Sequence, residues 1–261
     1  GWDASQELQK IGILNPNTSP LITGNEAIAL GLANGGLQEY IAYPMTPSSP
    51  VLHFLAQHAQ KLSINVTHPE SEIAVVLMGL GFAYSGKRAA VGTSGGGFCL
   101  MTEGLSFAGM AELPLVFVLG QRPGPSTGLP TYSAQTELFF ALYAGQGEFA
   151  RLVVAPGDLE ESYFWSTVAM NMSWKYQIPS IILTDKNLGE GVLNFDINSV
   201  DTINREELSV YKGTRPYKRY AFSDTGISPL AFAPYPGITI KVNSYEHDEY
   251  GITTEDPELR Y

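Results

Sequence analysis

Four short stretches place reactive or polar side chains on backbone that proline stiffens or glycine frees. In Tyr43-Pro44-Met45-Thr46-Pro47-Ser48-Ser49-Pro50, three prolines fix a short loop that carries three hydroxyls. Thr46 there suits a carboxylate or carbonyl oxygen; equally, Ser48 or Ser49 suits the N-cap of a following helix. His68-Pro69-Glu70-Ser71-Glu72 sets two carboxylates ahead of an apolar segment. The helix dipole favours carboxylates in a first turn, so capping and ligand binding both stand open for Glu70 and Glu72. His68 fits a strand end. Thr93-Ser94-Gly95-Gly96-Gly97-Phe98 is a glycine turn, which lets a ligand approach backbone N–H groups closely. It has neither the lysine of a Walker loop nor the G-x-G-x-x-G spacing of dinucleotide sites. Arg122, in Gly120-Gln121-Arg122-Pro123-Gly124-Pro125-Ser126-Thr127, presents a guanidinium that matches a carboxylate bidentately. That points to an acidic small molecule; the other reading is a surface arginine pinning its own loop.

These stretches lie between short β-branched runs and longer apolar-periodic segments, the pattern of βα units around a parallel sheet. The runs predict strands at Tyr40–Pro44, Ile64–Thr67, Ala89–Gly92, Leu115–Leu119, Arg151–Ala155 and Ser180–Thr184. Helices are expected at Gly24–Asn34, Pro50–Leu62, Ser71–Ser85, Phe98–Met110, Thr136–Ala144 and Asp158–Tyr176. Asp158, followed by Glu160 and Glu161, suits a helix start. Gly79 and Gly81 read as close helix packing. Ligands of such a sheet sit beyond the carboxyl ends of its strands, where all four stretches fall.

Composition narrows the function. A net charge of −11, with only 15 Lys and Arg in 261 residues, argues against a phosphate-backbone footprint and so against nucleic acid. With 44% hydrophobic and 16% charged residues the chain is globular, neither disordered nor coiled coil. The longest apolar run, Ile73–Tyr84, is broken by two glycines and falls short of the ~20 residues a membrane span needs. The single cysteine, Cys99, cannot make an internal disulfide, a multi-thiolate zinc site or a self-contained iron–sulfur cluster. Gly1-Trp2-Asp3 opens no secretory leader, so the cytoplasm is the expected location. Tyrosine and proline recur between Tyr211 and Tyr235 without clear periodicity, so residues 207–261 read as an extended arm packed over the domain or a partner. The other reading is a floppy linker, against which the aromatic content argues.

Taken in order, Thr23-Gly24-Asn25-Glu26-Ala27, Tyr43-Pro44-Met45-Thr46-Pro47-Ser48-Ser49, Glu70-Ser71-Glu72-Ile73-Ala74, Thr93-Ser94-Gly95, Met101-Thr102-Glu103-Gly104, Gln121-Arg122 with Gly124 to Thr131, Ala155-Pro156-Gly157-Asp158 and Glu246-His247-Asp248-Glu249-Tyr250-Gly251 resemble a known family. It is the α subunit of 2-oxoacid:ferredoxin oxidoreductases, above all the 2-oxoglutarate type. The likeness covers nearly the whole chain, in order and with the family's spacing.

The resemblance implies a doubly wound, mostly parallel α/β domain that binds the pyrimidine half of thiamine diphosphate. It divides the chain into a linker at 1–20, this domain at 21–195 and an irregular C-terminal arm at 196–261. It implies that Glu72, with Glu70 as runner-up, contacts the aminopyrimidine ring and promotes its reactive tautomer. It further implies that Tyr43, Pro44, Thr93, Ser94 and Gly95 help hold the cofactor and that Thr46, Arg122 and Thr127 meet the 2-oxoacid. The activity implied is oxidative decarboxylation of a 2-oxoacid to an acyl-CoA, with coenzyme A as co-substrate and ferredoxin as electron acceptor. A β subunit is expected to carry the diphosphate site with its Mg²⁺ and the iron–sulfur cluster, because Gly157-Asp158-Leu159 lacks the second glycine of a G-D-G motif.

A γ-type domain upstream and a further α/β domain downstream are also implied, so the sequence reads as a fragment or a truncated subunit. The chain departs from the family's usual residues at Met45, Gly96, Tyr132, Ala134 and Gln146. That leaves the 2-oxoacid open, 2-oxoglutarate first and pyruvate second. Two other readings stay in play: a non-redox thiamine diphosphate decarboxylase or carboligase, and a non-catalytic scaffold subunit.

Overall fold

The computed structural model describes residues 19–213 and 216–259; residues 1–18 of the expected linker lie outside the described residues. The elements run β1 Leu21–Thr23, α1 Gly24–Asn34, β2 Glu39–Ala42, α2 Ser49–Leu62, β3 Asn65–Thr67, α3 Glu72–Tyr84, β4 Ala89–Ser94, α4 Gly95–Met110 and β5 Leu115–Gln121. They continue with α5 Leu138–Tyr143, β6 Leu152–Val154, α6 Leu159–Tyr176, β7 Pro179–Asp185, α7 Lys186–Glu190 and β8 Val192–Asn194.

Six strands form one parallel sheet in the order β3-β2-β4-β5-β7-β6. Strands β2, β4 and β5 are buried at every residue, as a sheet covered on both faces requires. Alternation along β5 divides the core. Val116 and Val118 face Leu32, Leu55, Met170 and Trp174 of α1, α2 and α6. Phe117 and Leu119 face Val75, Leu80, Phe98 and Met101 of α3 and α4. Phe98 meets Phe117 edge to face at 6.0 Å, and a fully buried phenylalanine contributes about 1.5–3 kcal/mol. The expected doubly wound α/β architecture is therefore present.

Local chemistry explains where the helices begin. The Thr23 hydroxyl accepts from the Glu26 N–H at 3.2 Å and the Glu26 carboxylate accepts from the Thr23 N–H at 2.7 Å, a reciprocal cap on α1. Asp158 accepts from the Glu161 N–H at 2.7 Å and starts α6 as its sequence position predicts. Helices α1 and α6 touch closely at Gly31, whose carbonyl accepts from the Thr167 hydroxyl at 2.9 Å; a Cβ on Gly31 would lie 2.8 Å from the Ser166 Cβ. In α3 the packing role belongs to Gly79 alone, where a Cβ would lie 2.9 Å from Val91 Cγ1; Gly81 faces open space.

The sequence reading missed the antiparallel pair β1–β8 and the short helix α7. Each strand has three residues, too few to show a period, and α7 follows β7 with no intervening turn residue.

From residue 196 onward the described residues form only single 3-10 turns and isolated bridges. This segment is held against the domain by polar hooks. Arg88 Nη2 donates to the Glu206 carbonyl at 2.9 Å and Asn171 Nδ2 to the Asn204 carbonyl at 3.0 Å. Arg219 Nη2 donates to the Glu112 carbonyl at 2.7 Å, while Tyr220 stacks on His247 with ring centroids 3.7 Å apart. Two of its aromatic side chains, Tyr217 and Tyr220, are buried in packing, whereas Phe222, Tyr245 and Tyr250 are exposed.

Candidate active site

The chain moves from β2 to β3 on one side and then returns to place β4 on the other side of β2. This reversal opens a crevice at the carboxyl ends of β2 and β4, the place where open α/β sheets bind ligands. The loop after β2 lines one side of it. Its Thr46–Pro47 peptide is cis. Asn25 of α1, fully buried, donates from Nδ2 to the Pro47 carbonyl at 3.2 Å, and its Oδ1 has no partner among the described residues. The Ser48 hydroxyl donates to the Met45 carbonyl at 2.9 Å. Ser48 occupies the N-cap position of α2, as one sequence reading held, but it has helical angles and its side chain makes no capping bond; Ser49 is the first helical residue. Tyr43 and Pro44 are half-buried in this loop, the Tyr43 ring edge-on to His68 at 5.8 Å.

After β3 the two candidate glutamates part company. Glu70 is exposed, whereas Glu72, two residues on, is 4% exposed as the first residue of α3. Capping falls to Ser71, whose hydroxyl accepts from the Ala74 N–H at 3.3 Å. Glu72 is therefore not needed as the cap. Its Oε1 is buried with no hydrogen-bond partner among the described residues. A buried carboxylate oxygen without a donor is costly unless something supplies one.

After β5, Arg122 is buried at 6% exposure rather than pinned on the surface. Its Nη1 donates to the Thr46 carbonyl at 2.9 Å, and its Nε has no partner among the described residues. Thr127 is exposed farther along the same loop, next to Ser126.

The first turn of α4 brings these pieces together. Strand β4 ends at Ser94 and the helix begins at Gly95, so three successive glycines point in three directions at a helix start. A Cβ on Gly95 would run into the carboxylate of Glu137. One on Gly96 would sit 3.3 Å from the Ser126 carbonyl and 3.9 Å from Arg122 Nη2. One on Gly97 would overlap the Thr93 hydroxyl and lie 2.7 Å from Glu72 Cγ. Thr93 and Ser94 are fully buried, and the Ser94 hydroxyl has no partner among the described residues. A carboxylate, a guanidinium and the N–H groups of a helix start without a side-chain cap thus share one turn, a set able to bind a ligand carrying both a hydrogen-bonding ring and an acid group.

Glu137 is the site residue that sequence reasoning missed. It is 6% exposed and accepts from the Arg122 N–H at 3.4 Å across fifteen residues. Its one signal was an acid directly ahead of the apolar run Leu138–Leu142, which reads as an ordinary helix start.

Residues 31–260 match the family model described as pyruvate flavodoxin/ferredoxin oxidoreductase, thiamine diphosphate-binding. The α subunit of 2-oxoacid:ferredoxin oxidoreductase of Saccharolobus solfataricus is 40% identical, over 94% of this chain and 41% of that protein. The 2-oxoglutarate synthase subunit KorA of Methanocaldococcus jannaschii is 31% identical, over 90% of this chain and 63% of its own length. A solved 2-oxoglutarate:ferredoxin oxidoreductase from Magnetococcus marinus, with 2-oxoglutarate, coenzyme A and succinyl-CoA bound, superposes with a TM-score of 0.86 at 34% identity. That match covers 94% of this chain and 43% of that one. The chain spans about two fifths of the length of several relatives it matches. With the expected motifs in place and the match running over most of its length, the chain belongs to the pyruvate flavodoxin/ferredoxin oxidoreductase family of thiamine diphosphate-binding domains.

Proposed function

We propose that this chain supplies the pyrimidine half of a thiamine diphosphate site in a 2-oxoacid:ferredoxin oxidoreductase, 2-oxoglutarate being the first-choice substrate and pyruvate the second. The observation that carries this is the Glu72 carboxylate, buried beside the glycine turn with Oε1 unpartnered among the described residues. An aminopyrimidine ring nitrogen can share a proton with that carboxyl group, donating to Oε1 when the ring is protonated, and Gly97 leaves room where any side chain would collide with Glu72. When bound, the cofactor supplies carbanion-stabilising chemistry for decarboxylation. Glu72 holds and exchanges a proton at the ring nitrogen. Tyr43, Pro44, Thr93, Ser94 and Gly95 form the surrounding wall. Thr46, Arg122 and Thr127 receive the 2-oxoacid, the guanidinium taking its carboxylate.

The domain occupies residues 21–195, and the described residues from 196 onward are an arm over it. A β subunit completes the site with the diphosphate-binding Mg²⁺ and an iron–sulfur cluster, which the one cysteine of this chain cannot hold alone. The exposed apolar side chains Ile73, Leu77 and Leu100, on the helices that carry Glu72 and the glycine turn, support a partner on that side. A γ-type domain, coenzyme A and ferredoxin complete the assembly. Among the described residues no helix is long and apolar enough to cross a membrane, and we place the enzyme in the cytoplasm.

The test is the assembled enzyme. Iron, acid-labile sulfide, and ferredoxin reduction that needs both a 2-oxoacid and coenzyme A are expected. A preparation without iron and sulfide that still decarboxylates the 2-oxoacid would overturn the redox assignment. One inert toward all 2-oxoacids would overturn the whole reading.

A further inference from the structure

The loop that leaves β5 at Arg122 returns to α5 at Glu137, and its two ends are laced together. The Arg122 N–H donates to Glu137 Oε1 at 3.4 Å. The Thr136 N–H donates to Glu137 Oε2 at 3.1 Å. The Thr136 hydroxyl stands 3.0 Å from both Glu137 Oε2 and the Arg122 carbonyl, with one proton to give. In return, the Glu137 N–H donates to Gln121 Oε1 at 3.4 Å. Both carboxylate oxygens therefore act as acceptors, and both act on loop ends. Oε1 and Cδ of that carboxylate lie against Gly95, at the start of α4.

The geometry points to Glu137 as the positioning residue for Arg122: by clamping the Arg122 backbone against the glycine turn, it sets where the guanidinium meets an incoming carboxylate. It does so through the backbone and takes no part in chemistry itself. This rests on the assignment of Arg122 to a 2-oxoacid carboxylate and adds what aims it. A charged carboxylate suits the task, because it accepts on both oxygens at once and its hydrogen bonds are stronger than neutral ones. An amide does not, since its NH₂ must face one of these donors.

The test uses the assembled enzyme carrying Glu137→Gln, with two readouts. KM for the 2-oxoacid is expected to rise about tenfold or more, the order of one lost charged hydrogen bond, with kcat and thiamine diphosphate affinity little changed. Amide hydrogen exchange across residues 122–136 is expected to speed up, while exchange in α3 stays as in wild type. Thr136→Val, which removes only the shared hydroxyl, is expected to raise KM by a smaller factor and keeps the test open should Glu137→Gln fail to assemble. Faster loop exchange with an unchanged KM would make Glu137 a structural clamp only and overturn the aiming role. Unchanged loop exchange overturns the clamp whatever the substrate, because it is read without substrate. A wild-type enzyme inert toward 2-oxoacids would instead defeat the proposed function, an outcome distinct from either.

Discussion

Arg122 Nη1 donates to the backbone carbonyl of Thr46 at 2.9 Å, tying the loop after β5 to the loop after β2 across the crevice between β2 and β4. The contact spans 76 residues of sequence. It joins two roles that a reading of the sequence sets against each other, a loop pin and a carboxylate receptor. A guanidinium has five donors, so one bond to a carbonyl leaves the fork able to serve a ligand. Burial of Arg122, with Nε unpartnered among the described residues, makes a second acceptor worth having.

Arg122→Lys separates those roles. An ammonium can still reach a carbonyl, but it cannot reproduce a planar fork. In the assembled enzyme kcat/KM for the 2-oxoacid is expected to fall by the equivalent of about 2–5 kcal/mol, the cost of truncating a buried charged contact. Thiamine diphosphate affinity, measured by calorimetric titration, should stay the same. Unchanged kinetics would reduce Arg122 to the pin.

The glycine turn makes a sharper demand. At Gly97 a methyl group would overlap the Thr93 hydroxyl and press on Glu72, and both neighbours are buried. Gly97→Ala should cost about 1–3 kcal/mol by overpacking and abolish thiamine diphosphate binding. Gly81 meets nothing within 4 Å in the middle of α3, so Gly81→Ala should stabilise the chain by about 0.5–1 kcal/mol. Urea midpoints of the two variants check both signs; a harmless Gly97→Ala would dismantle the account of this turn.

The legibility of the sequence follows from the length scale of each feature. Strand β5 and helix α1 were plain because an apolar run or a cap acts within a few residues, and the Gly24–Asn34 bounds agree to the residue. The candidate residues Thr46, Glu72, Ser94 and Arg122 could be singled out in the sequence because each lies at or a few residues beyond the carboxyl end of a strand, where type and position coincide. What separates Glu72 from Glu70 is burial, which depends on how α3 meets α4 and has no local mark. Glu137 was hidden for the same reason: its partners are Arg122 and Gly95, and only closure of the loop after β5 brings them to it. Pairing of β1 with β8 joins residues at opposite ends of the domain through three positions each, which leaves no period to read.

Alkaline pH should loosen the packed arm through Tyr220. Burial pushes its phenol up to about 12, while Arg219 and its backbone contacts pull in the other direction. An unfolded tyrosine ionises near 10, so between about pH 10 and 12 the unfolded chain binds fewer protons than the folded one. Stability from this group is therefore intact below pH 10 and lost as pH rises toward 12. Tyr220→Phe removes the titration together with the hydroxyl's bond to the Ala111 carbonyl. Urea midpoints taken from pH 9 to 12 should fall less steeply in the variant; parallel curves would mean that Tyr220 is not protected by the fold.

Glu72 carries the most exposed prediction. Its carboxylate is buried, is not the helix cap, and has one oxygen unpartnered among the described residues. Glu72→Gln keeps the shape and a hydrogen bond but cannot pass a proton. Turnover in the assembled enzyme is expected to fall about 10²–10⁴-fold, the usual contribution of a positioned acid or base. Loss of the charge from the first turn of α3 should change stability by only about 0.3–1 kcal/mol, so folding and assembly should survive. The exposed Glu70 offers the matched control, since Glu70→Gln makes the same change two residues earlier at a solvent-facing position. Exchange of the thiazolium C2 proton, followed by NMR in wild type and both variants, reads the step directly. Slow exchange in Glu72→Gln alone supports the assignment. If Glu70→Gln alone slows it, the register is wrong by two residues, and if neither does, the carboxylate at the start of α3 has no part in activating the cofactor.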